Sequence, residues 1–330
     1  MIAPVTERLR QIPSSVMSKP LTVAVSGASG LVGSALSSSM VDRNWKLKRL
    51  VRDKRRESES DNIMWNLDAG IVDVSSFSSV DAVVHLAGEN IATGRWTAAK
   101  KRRIRDSRVM GTRRLCESLA ALPQPPSVLV CASAIGYYGE RGNQSLDESE
   151  PPGLGFLPEV CTEWERATQP AVDAGIRVVQ LRIGVVLSPA GGALKEMLLP
   201  FRFGVGGKIG SGRQYWSWIS LPDLVHAIQF AIGTESLSGP VNAVAPNAVT
   251  NAEFTRTLGR VLRRPTLFPL PAFVARLVLG EMANGLLLSS IRVTPNRLQR
   301  ADFEFQHPDL ESALRSVLNR KDVSTGETQP

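Results

Sequence analysis

The chain should fold as an α/β protein, a doubly wound parallel sheet followed by a smaller, mixed C-terminal lobe. Short apolar runs at residues 21–25, 47–51, 82–86, 127–131 and 177–186 alternate with helix-periodic segments. Strands buried on both faces read as unbroken apolar runs, and their alternation with helices marks crossover connections. The first run breaks into a GxxGxxG turn, Val23-Ala24-Val25-Ser26-Gly27-Ala28-Ser29-Gly30-Leu31-Val32-Gly33, and resumes as a helix. With 330 residues and a 43% hydrophobic composition, the chain can bury a full core.

Taken in order, residues 1–20 carry Arg8, Arg10, Ser14, Ser15 and Lys19 but also Glu7, without the apolar core of a secretory signal. They read as an N-terminal extension of a cytoplasmic protein, with an organellar leader as the alternative. Residues 21–187 form the main domain, to which later segments return. Residues 188–318 hold a Gly- and Arg-rich stretch at 204–213, then Tyr215-Trp216-Ser217-Trp218-Ile219, where a substrate loop would sit. A strand near 240–243 and helices at 251–263 and 271–288 complete the C-terminal lobe, and residues 319–330 read as a polar tail. The greasiest stretch, 273–288, is interrupted by Arg276, Glu281 and Asn284, so it is expected as an amphipathic helix packed on the body and not a membrane span.

Three cysteines without CxxC spacing (Cys116, Cys131, Cys161) favour a reducing compartment, and three scattered histidines (His85, His226, His307) suggest no metal site. A net charge of +8 favours an anionic ligand. A phosphorylated small molecule meets that demand without nucleic acid.

The glycine turn supplies such a ligand. A strand that turns into a helix through GxxGxxG cradles a dinucleotide pyrophosphate in a Rossmann fold. Gly27 permits the tight turn, Gly30 lets the backbone approach the phosphates, Gly33 lets the helix pack on its strand, and Ser29, Leu31 and Val32 complete the site. NAD-specific sites place a carboxylate about 20 positions further on, against the ribose 2′-hydroxyl. Here Arg52 stands there, and a guanidinium can fork onto a 2′-phosphate that a carboxylate would repel. NADP(H) is therefore the expected cofactor, with Lys54, Arg55 and Arg56 read as a solvated loop.

The glycine turn, His85-Leu86-Ala87-Gly88 and Ser133-Ala134-Ile135-Gly136-Tyr137-Tyr138-Gly139 together resemble extended short-chain dehydrogenase/reductases. Leu86-Ala87-Gly88-Glu89-Asn90-Ile91, Arg95-Trp96-Thr97, Trp164-Glu165, Arg182-Ile183-Gly184-Val185-Val186-Leu187, Pro200-Phe201-Arg202 and Gly210-Ser211-Gly212 narrow the likeness to the SDR39U1/YfcH-like epimerase family, over residues 21–318. The resemblance implies a Rossmann core, a small C-terminal domain of the DUF1731 type and a nicotinamide cofactor. It also implies Leu86, Ala87 and Gly88 beneath the adenosine and ribose, Val186 beside the cofactor, and Arg108 near the phosphates. The neighbouring Lys100, Lys101, Arg102, Arg103 and Arg105 read as a wet helix face.

Short-chain dehydrogenases pair a catalytic tyrosine with a lysine four residues later, which lowers the tyrosine pKa. Four positions after Tyr137, Tyr138 and Tyr215 stand Arg141, Gly142 and Ile219, so no YxxxK exists. By resemblance, Cys161 replaces the tyrosine and Glu165 the lysine, and a carboxylate cannot act as the ammonium does. Ser133 remains as the oxygen-polarising group, with one of Tyr137 or Tyr138 facing the nicotinamide and the other the core. Cys161 is read as inert packing. Cys161 and Glu165 are expected to matter less to turnover than Ser133. Arg202, Lys208 and Arg213 would place charge near the substrate.

Two functions follow from this sequence. One is an atypical NADP(H)-binding reductase or epimerase acting on a small, sugar-like or anionic molecule. The other is a non-catalytic NADP(H)-dependent regulator or assembly factor read by a protein partner, since plastid members of the resembled family are linked to organelle division.

Overall fold

The computed structural model describes residues 20–52, 61–66, 70–71, 75–77 and 79–319. Residues 1–19, the loop carrying Lys54, Arg55 and Arg56, and residues 320–330 lie outside the described residues.

The sheet runs through β1 (Thr22–Ser26), β2 (Lys46–Val51), β3 (Asn62–Asn66), β4 (Gly70–Ile71), β5 (Ala82–His85), β6 (Val128–Ala134), β8 (Arg177–Ile183) and β12 (Gly239–Ala243). Its order is β12-β8-β6-β5-β1-β2-β3-β4. Seven strands are parallel and β4 closes one edge antiparallel to β3. From β1 the chain winds outward through β2 and β3, then returns to β5 on the other side of β1. Adjacent loops therefore diverge at the carboxyl ends of β1 and β5, which opens a crevice there. The chain fills the short pairings outside this sheet with β7 (Ser145–Leu146), β9 (Val185–Leu187), β10 (Tyr215–Trp216), β11 (Trp218–Ser220), β13 (Val249–Thr250) and β14 (Arg292–Val293).

Helices cover both faces of the sheet because its strands are apolar on both. On one face α1 (Leu31–Asp42) and α6 (Leu221–Gly233) bury Leu36, Met40, Leu224 and Ile228 against Val23, Val25, Val84 and Val130. On the other, α2 (Ala98–Ala120), α3 (Phe156–Arg166) and α4 (Gln169–Asp173) bury Leu115, Leu119, Trp164 and Ala171 against Ala24, Val83 and Leu129. A third apolar cluster builds the C-terminal lobe from α5 (Gly192–Arg202), α7 (Asn251–Leu262) and α10 (Leu310–Val317) around Trp216 and Trp218. The lobe also carries α8 (Ala272–Leu279) and α9 (Asn296–Arg300).

Three local expectations change. Residues 177–186 do not form one strand: β8 ends at Ile183 and β9 pairs with β11 in a separate sheet. The cause is Gly184, where a Cβ would lie 2.7 Å from the Ser217 carbonyl oxygen and 2.8 Å from Val244. Likewise 271–288 is not one packed helix: α8 stops at Gly280 (φ 63°), a π-helical turn follows at Ala283–Leu288, and Phe273, Leu277 and Val278 point to solvent. The basic face of α2 is also drier than expected, since Lys100 is buried on Glu89 at 2.7 Å. No described helix is long and apolar enough to cross a membrane.

Candidate functional site

The crevice is built by the loops after β1 and β5. Gly27 has φ 71°, and a Cβ there would lie 2.9 Å from the carbonyl carbon of Leu86 on the facing loop. A Cβ on Gly33 would stand 2.2 Å from the Gly27 carbonyl oxygen, so only glycine lets α1 approach its strand this closely. Gly30 differs. Its absent Cβ would meet only the Gly27 oxygen, at 3.2 Å, and both Ser29 and Gly30 are exposed. Gly30 caps α1 without a side-chain hydrogen bond, and no acidic residue occupies the first turn. The N–H groups and positive dipole end at Leu31 and Val32 are thus left for an anion.

Ser26 ties the two loops together. Its Oγ accepts the N–H groups of Leu86 (3.2 Å) and Ala87 (3.3 Å) and lies 2.6 Å from His85 Nδ1. With two donors already on this oxygen, the serine proton goes to His85 Nδ1, which places the imidazole proton on Nε2. Burial holds His85 neutral, with its pKa lowered to about 4. Neither Ser26 nor the structural part of His85 was evident from the sequence, because that role depends on β1 and β5 being neighbours.

Arg108 braces the second loop: its guanidinium donates to the Glu89 carbonyl (2.9 Å), lies over the Trp164 ring and fills the side of Gly88 where a Cβ would stand. Burial lowers its pKa. Across the crevice the Val186 carbonyl and Leu31 side chain approach the same point at Gly192. Arg52 is exposed just past the end of β2, beside the glycine turn's own strand.

At the carboxyl end of β6 Ser133 meets Glu165 of α3 and Arg182 of β8 in a polar cluster. Ser133 Oγ donates to Glu165 Oε1 at 2.7 Å. Arg182, at the end of β8, grips both Glu165 oxygens at 2.8 Å and lies 3.5 Å from the centroid of the Tyr137 ring. Its remaining nitrogen donates to Tyr138 Oη at 3.0 Å, and that hydroxyl donates to Asn242 Oδ1 at 2.7 Å. Burial works against the Arg182 charge, but Glu165 outweighs it and the net pKa is raised. Of the two tyrosines, Tyr138 is fully buried, with its pKa pushed up to about 12 by burial, whereas Tyr137 is half-buried. Cys161 is buried beside them, its thiol pushed up to about 12 by burial and by the Glu165 charge. Glu165 accepts the proton of the Ser133 hydroxyl, a contact that the sequence did not reveal.

The three cations expected near a substrate do not converge. An open cleft of about 550 Å³ in the C-terminal lobe is lined by Glu140, Asn143, Ser211, Arg213, Arg276 and Ser290, among others. Arg213 is on its wall, while Arg202, Lys208, Ser133 and Tyr137 are not. Arg202 ends α5 with its carbonyl accepting from Arg264, and the Lys208 stem packs beside Gly212.

Residues 23–243 match the NAD dependent epimerase/dehydratase family. The chain belongs to that family. Residues 270–317 match a domain of unknown function, DUF1731. An epimerase family protein of Mycobacterium bovis is 47% identical over 298 residues, spanning 90% of this chain and 98% of its own length. A chloroplastic SDR39U1 homologue of Arabidopsis thaliana is 37% identical over 324 residues, 96% of this chain and 92% of its own. The crystal structure of the human epimerase family protein SDR39U1 with NADPH has a TM-score of 0.83 and 33% identity, covering 91% of this chain and 100% of that one. The Ser133–Glu165–Arg182 cluster lies within the residues that match the epimerase family.

Proposed function

We propose that the chain is an NADP(H)-dependent reductase or epimerase acting on a small, sugar-like or anionic molecule. The observation that carries this reading is the crevice itself, where a glycine turn with open backbone and an uncapped helix N-terminus face the Leu86–Ala87–Gly88 loop. The NADPH held by human SDR39U1 supports it. Gly27, Ser29, Gly30, Leu31, Val32 and Gly33 would hold the pyrophosphate, Leu86, Ala87, Gly88 and Val186 the adenosine and ribose side, and Arg52 the 2′-phosphate. Arg108 would act at one remove, by fixing the loop that carries Gly88. When bound, the cofactor supplies hydride transfer to or from a substrate carbon.

Proton handling falls to the residues around Ser133. With its proton on Glu165, Ser133 Oγ offers lone pairs to a substrate hydroxyl, and Glu165 can take the serine proton as the hydroxyl gives up its own. In the reverse direction Ser133 donates its proton to a substrate oxygen, and the Ser133–Glu165 pair then recovers a proton from solvent. Tyr137 stands beside it, and Tyr138 acts by holding Arg182. Arg213, on the cleft wall, supplies positive charge to a substrate that reaches the C-terminal lobe.

Stopped-flow NADPH oxidation across a panel of sugars and carbonyl compounds tests this. Removing one oxygen-polarising donor costs a factor of about 100 to 1000 in rate. Ser133→Ala should depress turnover by that order with NADPH affinity unchanged, and Tyr137→Phe should depress it more than Tyr138→Phe. Full turnover in all three variants would remove the assignment.

A second reading, a non-catalytic NADP(H)-dependent regulator, is favoured by one observation. Glu165 and Arg182 satisfy each other in a largely buried pair, so a carboxylate bound to a guanidinium stands where the resemblance would put a ribose-holding lysine. A protein that binds NADPH tightly and oxidises it with no member of the panel would be this regulator, its partner reading the cofactor-bound surface.

A further inference from the structure

Arg108, half-buried on α2, carries a charge that no carboxylate among the described residues neutralises. Its Nη1 is spent on two backbone carbonyls, those of Glu89 (2.9 Å) and Ile104 (3.2 Å). Nε and Nη2 have no partner among the described residues, and both keep accessible surface. The Glu89 carboxylate is committed to Lys100 (2.7 Å) and Arg103 (3.7 Å), and the other guanidinium at this end of the crevice, Arg182, is matched by Glu165. A charge partly withdrawn from water without a counter-ion is costly, and a bound anion would offset that cost.

The guanidinium is held flat. A Cβ on Gly88 would stand 3.3 Å from its Cζ and 3.4 Å from each Nη, so the glycine gives it room, and Cζ lies 5.1 Å from the centroid of the Trp164 ring. Its charge also acts on the Cys161 thiol, which sits 3.8 Å from where a Cβ on Gly136 would stand, just past the end of β6. From one helix, α3 thus presents Trp164 to Arg108 and the next residue, Glu165, to Ser133. The glycine turn meets the facing loop at Leu86 and Ala87, whereas Arg108 meets it at Gly88, on the side of α3.

We propose that Arg108 binds a carboxylate of the substrate, which is then an organic acid whose reacting oxygen lies at Ser133. The inference rests on reading the crevice as a nicotinamide site and names the substrate class of that site. The unused Nε–Nη2 edge is the planar fork that matches both oxygens of a carboxylate. A cofactor phosphate would offer similar oxygens, but the uncapped N-terminus of α1, where the phosphates would sit, follows the glycine turn at the Leu86–Ala87 end of the loop. A neutral sugar would leave the charge unmatched.

Calorimetric titration of the full chain, loaded with NADPH, with formate and with oxalate tests the proposal; formate is small enough that size cannot explain a failure. Both acids should bind, each displacing the other. Truncating one partner of a partly buried charge pair costs a factor of about 30 or more in affinity. Arg108→Met should weaken both acids by that order and NADPH by much less, and Arg108→Lys, which keeps the charge without the fork, should recover part of the loss. Should the methionine variant fail to fold, the native chain still decides: oxalate should shield Arg108 from phenylglyoxal, read by peptide mass, beyond any protection from NADPH alone. Complete protection by NADPH alone, or NADPH weakened as much as the acids in Arg108→Met, would give the edge to a cofactor phosphate and overturn the proposal. A chain that takes NADPH but neither acid, or acid binding indifferent to Arg108→Met, overturns it and leaves the cofactor reading intact; a chain that takes neither cofactor nor acid overturns both.

Discussion

One hydroxyl, that of Ser26, joins the two loops of the crevice, and its removal takes the acceptor from the Ala87 amide, while the Leu86 amide keeps the Ser26 carbonyl. Buried donors stripped of a partner cost about 1–3 kcal/mol, so Ser26→Ala should lower the unfolding free energy by that amount in urea titration. His85 adds a pH dependence. Its folded pKa, about 4, lies below its ordinary 6.5, so as pH falls the unfolded chain takes up the proton first. Stability from this group is intact above pH 6.5 and declines through the window down to 4, by about 3 kcal/mol. Burial lowers His226 as well, which adds in the same direction. His85→Asn, which keeps an acceptor for Ser26 and does not titrate, should flatten the decline in denaturation at pH 7, 5.5 and 4.5; an unchanged decline would assign it elsewhere. At Gly30 the reading is ligand-directed: Gly30→Val should leave the fold intact and lose NADPH in fluorescence titration, whereas undiminished binding would put the phosphates elsewhere. The close packing at Gly27 and Gly33 was legible in the sequence from their spacing, but the Ser26–His85 contact joins residues 59 apart and depends on strand order.

Among the elements, the ends of β6, β8 and α3 meet in the Ser133–Glu165–Arg182 cluster. Splitting a buried ion pair costs about 3–5 kcal/mol, because the remaining charge is stranded. Glu165→Ala should therefore destabilise the protein by about that much, and Arg182→Met should do likewise, while the double variant should recover a good part of the loss in urea unfolding. Simple additivity of the two single variants would contradict a coupled pair. The sequence revealed that a carboxylate stood where a lysine was expected. It could not reveal the partner, since Arg182 lies on another strand and reads locally as part of an apolar run. The same locality hid the break at Gly184, forced by the carbonyl of Ser217 between β10 and β11, and the exposure of α8, where an amphipathic pattern shows which residues share a face but not what lies opposite.

For the whole molecule, doubly wound architecture was legible because it follows from periodicity: apolar runs alternating with helices leave few ways to cover both sheet faces. The edge strands β3 and β4 were not, as they are short and polar at their ends. The C-terminal lobe read least well, since its small sheets are pairs of two- and three-residue strands whose partners are far apart in sequence. Its cleft gathers Arg213 and Arg276 but not Arg202 or Lys208, a grouping set by packing and not by spacing.

The account as a whole depends on the crevice taking a phosphorylated nicotinamide cofactor, and on the absence of a carboxylate at position 52. Isothermal titration of the full chain with NADPH and with NADH tests both at once. NADPH should bind at least tenfold more tightly, a difference of about 1.4 kcal/mol, and Arg52→Asp should abolish or reverse the preference. Equal affinities for the two cofactors in the native chain, or a preference untouched by Arg52→Asp, would contradict it.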